Sequence, residues 1–132
     1  MGSQGDPGVR AYSPEKPDYY IDDALLSVSP SILTTSLDSF QISATLYNLG
    51  QAIDQPIKVT LTKTKAGSSQ PLYTDTLTLT LLNTTSLQFK LPIDAINDIG
   101  LFNFTVSLND AHDPDEISFA NNKASVQIYI SE

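Results

Sequence analysis

A chain of 132 residues with 40% hydrophobic residues has room for one domain and enough apolar side chains to build its core. A formal charge of -8, with pI near 4.3, repels phosphate backbones and anionic bilayers, so no nucleic acid is expected as a partner. No apolar run approaches the ~20 residues of a membrane helix, so no membrane insertion is expected, and the lack of cysteine excludes disulfides, thiolate metal sites and cysteine nucleophiles.

Residues 1–17 hold Gly2, Gly5, Pro7, Gly8, Pro14 and Pro17 among few apolar anchors. They read as a linker or junction from an upstream domain, with Met1-Gly2-Ser3 resembling a cloning scar, and the domain proper runs over 18–132. The first residues lack the charged-then-apolar pattern of a signal peptide, so an export signal is expected outside this chain. Tyr12, Tyr19 and Tyr20 form an aromatic set that suits an interface filler better than a sugar contact.

Beyond this the pattern is a two-residue period. Ala24, Leu26 and Val28 give a weak first strand. Phe40, Ile42, Ala44 and Leu46 alternate with Gln41, Ser43, Thr45 and Tyr47; Ile57, Val59 and Leu61 alternate with Lys58, Thr60 and Thr62. Leu77, Leu79 and Leu81 follow, then Leu87, Phe89, Leu91 and Ile93. Phe102, Phe104, Val106 and Leu108 make a sixth strand, and Ala124, Val126, Ile128 and Ile130 a seventh. Threonine on the outer faces fits a pleated, half-wet surface. Ile93–Ile99 holds at most one turn of helix.

Turn residues fall between these runs: Ser29-Pro30-Ser31, Asn48-Leu49-Gly50, Gln55-Pro56, Ala66-Gly67-Ser68-Ser69 with Pro71, Asn83-Thr84-Thr85 and Gly100. Lys58, Lys63 and Lys65 near the fourth of these are charges that discourage edge-to-edge pairing. Short one-sided strands at this spacing predict an all-β, immunoglobulin-like antiparallel β-sandwich of about seven strands with Greek-key connections, strand count and length favouring it over the alternative of a closed barrel. Without Trp or a Cys pair it is not an antibody-type domain.

Catalysis is not expected. The one histidine, His112, sits in an Asp/Pro loop, and no serine stands in the Gly-x-Ser-x-Gly setting of a nucleophile elbow. There is no glycine-rich phosphate loop or basic aromatic stripe either, and no cofactor is implied. The densest polar stretch runs from Asn109 to Glu116, followed by Asn121-Asn122. Asp110, Asp113, Asp115 and Glu116 could supply several of the six to eight oxygens that calcium takes. Against that, the spacing is not that of the twelve-residue calcium loop. A strand-to-strand loop whose Asn and Asp side chains bond their own backbone ranks ahead. Asn121-Asn122 suits a cap or turn that bonds the neighbouring loop's carbonyls. Asn83-Thr84-Thr85 and Asn103-Phe104-Thr105 match the glycosylation triplet as chance occurrences.

Two resemblances add to this reading. The strand ending in Asn48-Leu49-Gly50, the strand Phe104–Leu108 leading into an Asp, and Asp113-Pro114-Asp115-Glu116 closing on Asn121-Asn122 and a last strand resemble CARDB-type domains, which are bacterial cell-adhesion-related, immunoglobulin-like modules. The likeness runs from about Pro17 to Ser131. Phe119-Ala120 stand where such domains often carry a second acidic residue, which takes weight from a cation role. Gly5-Asp6-Pro7 followed by Val9, Tyr12 and Pro14-Glu15-Lys16-Pro17-Asp18-Tyr19 resembles the junction where gingipain-type cysteine peptidase domains end and a β-sandwich begins. That likeness implies a secreted or cell-surface parent whose catalytic residues lie upstream, and neighbouring domains of the same polypeptide as partners. The expected role is a non-catalytic accessory or spacer domain. The alternative is an independent adhesion module that binds a protein or glycan ligand through its end loops.

Overall fold

The computed structural model describes residues 16–132. Gly5-Asp6-Pro7, Val9, Tyr12, Pro14 and Glu15 lie outside the described residues. The chain forms two facing sheets. In the first, β4 (Ser39–Asn48) is flanked on one side by β1 (Tyr19–Tyr20) and β2 (Leu26–Ser29), and on the other by β7 (Thr84–Pro92). The second has the order β3 (Leu33–Thr34), β9 (Lys123–Ser131), β8 (Gly100–Leu108), β5 (Ile57–Lys65), β6 (Pro71–Leu79). Pairing of β4 with β7 in one sheet and of β5 with β8 in the other is the interlocked arrangement of a Greek-key sandwich.

Alternation decides which side chains meet in the middle. Phe40, Ile42, Ala44 and Leu46 of β4 face Val59 and Leu61 of β5 and Phe102, Phe104, Val106 and Leu108 of β8 in one buried cluster. Phe40 and Phe104 meet edge to face, with ring centroids 5.7 Å apart. Each fully buried Leu, Ile or Phe stabilises the fold by roughly 1.5–3 kcal/mol relative to its exposed state, so this layer supplies the main driving force.

All seven expected strands are present, and the structure corrects five details. Two further strands, β1 and β3, are two residues long, below the length at which alternation shows. One pair is not antiparallel: β3 runs parallel to β9, with Leu33 opposite Ile130. Ala24 lies in a 3-10 turn over Asp23–Leu25 rather than in a strand, because the Asp22 carboxylate accepts the Ala24 N–H at 2.9 Å and starts the turn. Leu81, expected to end a strand, leaves β6 and plugs the end of the core at 1% exposure. The lysines expected to guard an edge belong to β5, an interior strand, whereas β6 is the edge. There Asp75, opposite the buried Leu61 and on the same inward face, is the charge that resists edge pairing. Asp94–Asp98 makes the single helix-like turn expected near Ile93–Ile99, closed by Asp98 N–H donating to Asp94 O.

Candidate functional site

Ahead of β2 the chain does not simply lead into the sandwich. Lys16–Ile21 lies as an extended strap across one end of it, between the β4–β5 link and the β8–β9 loop. Towards the first, Lys16 O accepts the Gln51 N–H at 2.9 Å and Asp18 O accepts the Leu49 N–H at 2.8 Å. Towards the second, Pro17 O accepts the Ile117 N–H at 3.0 Å and the Ile21 N–H donates to Asn121 O at 2.9 Å. The strap thus ties together loops from both sheets. Tyr19 and Ile21 anchor it in the core at 0% and 1% exposure.

Two buried polar residues fix its position. Asn48 ends the inward face of β4, where its amide meets four groups. Oδ1 accepts the N–H of Asp18 and of Gly50, each at 3.0 Å, and Nδ2 donates to Gln51 O at 2.9 Å and Leu81 O at 3.3 Å. A Cβ on Gly50 would stand 2.5 Å from Lys16 O and 2.9 Å from Asp18 N, so only glycine lets the strap lie this close.

Glu116 is the second. At 4% exposure its Oε1 accepts the Tyr19 N–H at 2.8 Å, and its Oε2 accepts Nδ2 of Asn109 at 2.9 Å and of Asn122 at 2.6 Å. Asn122 Nδ2 also donates to Leu108 O at 3.0 Å, and Asn109 Nδ2 to Pro114 O at 2.8 Å. Asn109 adopts φ 54°, a left-handed conformation that asparagine tolerates better than most residues. Its Oδ1 accepts the Asp113 N–H at 3.1 Å, closing the loop on itself. Burial raises the Glu116 pKa and the nearby Asp18 adds to it, while the three donors pull the other way without cancelling the rise. Burial and the Glu116 charge likewise raise the Tyr19 hydroxyl.

The four candidate calcium ligands are thus placed differently. Asp110, Asp113 and Asp115 are exposed and Glu116 is buried. Asp113 accepts Gln55 Nε2 at 3.0 Å, and Asp115 pairs with Lys16 Nζ at 2.7 Å, which holds its pKa below the usual range. Among the described residues no three His, Asp or Glu side chains gather in a geometry that would hold a metal ion. His112 stacks on Phe119, ring centroids 3.7 Å apart, at the outside of this loop. Of the Asn pair, Asn122 bonds the carbonyl of Leu108 at the end of β8 rather than a loop carbonyl. Glu116 as its acceptor, and Tyr19 as a core residue, have no local signal in the sequence, because the contact joins residues 97 positions apart.

No protein-family model matches the sequence, and no curated protein matches it. Similar folds occur among solved structures. A CARDB domain from Pyrococcus furiosus, solved in complex with di-metal ions, superposes with a TM-score of 0.64 at 16% identity, over 89% of this chain and 91% of that one. A domain of a Methanosarcina acetivorans protein with a predicted cell-surface location gives 0.52 at 18% identity, over 87% and 92%. A Listeria innocua beta-glucosidase in complex with glucose gives 0.53 at 12% identity; the match covers 88% of this chain but only 16% of that enzyme. At these identities the likeness is one of fold: an immunoglobulin-like sandwich of the CARDB kind.

Proposed function

We propose that this sandwich is a non-catalytic module of a secreted or cell-surface protein that holds an upstream domain in a fixed relation to itself. The observation that carries the reading is the strap. Four backbone hydrogen bonds, with Asn48 and Glu116 beneath, bind the incoming chain to both sheets before the first long strand begins. A spacer attached through a free linker has no use for such a clamp, whereas a domain that must support a neighbour does. The CARDB-like fold supports an extracellular setting, and the Gly5-Asp6-Pro7 junction supports a gingipain-type peptidase as the neighbour. Among the described residues no three His, Asp or Glu side chains gather to hold a metal ion: Asp113 and Asp115 pair with Gln55 and Lys16, and Glu116 accepts three N–H groups.

The test uses the parent protein extended upstream through its next domain, with and without Gly50→Val. If the module supports that neighbour, displacing the strap lowers the neighbour's melting temperature or activity while the sandwich still folds. An upstream domain equally stable and active in both forms overturns the support role.

A further inference from the structure

At the end of the sandwich opposite the strap, the inner faces of the sheets part and leave an open cavity of about 220 Å³. Its walls are largely apolar and aromatic, with Tyr73 and Leu72 of β6 on the outer side at 38% and 55% exposure. The floor breaks the alternation that builds the rest of β5. After Ile57, Val59 and Leu61, the next inward residue is Lys63, directly across from Tyr73. Its ammonium meets Asp98 at 2.5 Å and lies 4.5 Å from the Phe102 ring centre; both charged side chains are only 12–13% exposed. A hydrophobic residue would serve folding at least as well there, because a buried ion pair gains little over an apolar replacement. Asp94 and Asn97 complete the rim, and the side-chain oxygen of Asn97 makes no hydrogen bond within the described residues.

We infer that this cavity binds one neutral pyranose ring, as the terminal sugar of a glycan. The exposed Tyr73 ring offers an aromatic surface of the kind that the apolar face of a sugar ring packs on. The Lys63 ammonium offers donors and the Asn97 side-chain oxygen an acceptor to neighbouring hydroxyls, while both Asp98 oxygens are held by Lys63 and the Asp94 N–H. The cavity is smaller than the roughly 300–1,000 Å³ of drug-sized sites, which fits a single small ring. Anionic sugars are disfavoured by Asp94, Asp98 and a net charge of -8. Organic cations compete poorly, because Lys63 already occupies Asp98 and the Asp94 oxygens accept the Ile96 and Asn97 N–H groups and Asn97 Nδ2.

The experiment is saturation-transfer NMR on this chain with the methyl glycosides of glucose, galactose, mannose and N-acetylglucosamine, and with glucuronate and tetramethylammonium as charged controls. At least one neutral glycoside receives saturation. Tyr73→Ala weakens it by roughly 3- to 10-fold, the size of a lost aromatic contact. Tyr73→Phe retains binding, and Leu49→Ala at the strap end leaves it unchanged. No transfer to any of the four glycosides, preference for either charged control, or binding indifferent to Tyr73→Ala overturns the assignment. The strap is remote from these residues, so the support role stands or falls separately.

Discussion

At Glu116 three N–H groups donate to a single buried carboxylate. An amide at this position can serve the Asn109 and Asn122 side chains with its oxygen, but it then presents its own N–H₂ to the Tyr19 N–H. Glu116→Gln therefore strands one buried donor and costs roughly 1–3 kcal/mol, measurable as a lower urea midpoint at unchanged slope. The same residue sets a pH dependence. Its folded pKa lies above the ordinary 4.5, so between 4.5 and the raised value the folded chain binds more protons than the unfolded chain. The stability this group contributes is then present below 4.5 and lost as pH rises through the folded value. The gap in melting temperature between wild type and Glu116→Gln should be wider near pH 4.5 than at pH 7; a gap that narrows on acidification contradicts it. Asp94 and Asp115 act in the opposite sense, with pKa values lowered by hydrogen bonds from Ile96 and Lys16 respectively, and their effect begins only below about 3.8.

Among the elements, the strap depends on one small residue in the β4–β5 link. Adding a methyl group at Gly50 forces it against Lys16 O, and overpacking of this kind costs about 1–3 kcal/mol. Gly50→Ala should lower stability by that amount, and it should speed hydrogen exchange at the Leu49, Gln51 and Ile117 amides that bond the strap, more than at β8 amides. Uniform acceleration would mean the strap is not a separable unit. The long strands were legible in the sequence because each has one buried and one wet face: Phe40 to Leu46 and Phe102 to Leu108 show it residue by residue. β1 and β3 were not, since two residues carry no period, and what places them is hydrogen bonding to β4 and β9. The acidic loop was legible as a polar cluster. Its division into an inward Glu116 and outward Asp110, Asp113 and Asp115 was not, because that depends on where the Tyr19 backbone arrives. Lys63 read as a surface charge, yet it occupies an inward position of β5; counting the alternation one step past Leu61 would have shown this.

For the molecule as a whole, the polar features divide between two ends. One holds the strap, Asn48 and the β8–β9 loop; the other holds Lys63, Asp98 and the open cavity, with the core layer between. Since no three His, Asp or Glu side chains gather in a metal-holding geometry among the described residues, millimolar calcium is expected to leave the melting temperature unchanged. A rise of several degrees would assign the loop a cation after all. The fold alone carries the CARDB likeness, and everything specific to this chain lies in what the ends do.

The parallel pairing of β3 with β9 has a mechanical side. Lys16 lies at the strap end and Ser131 at the other, next to Thr34 and Thr35, so the described chain passes through the module from end to end. With nine-residue strands rising about 3.3 Å each, the module adds roughly 30 Å of reach to any string of domains that contains it. A pull along that string drags β3 and β9 lengthwise past each other, so that their cross-links are strained together in shear rather than opened one after another like a zip.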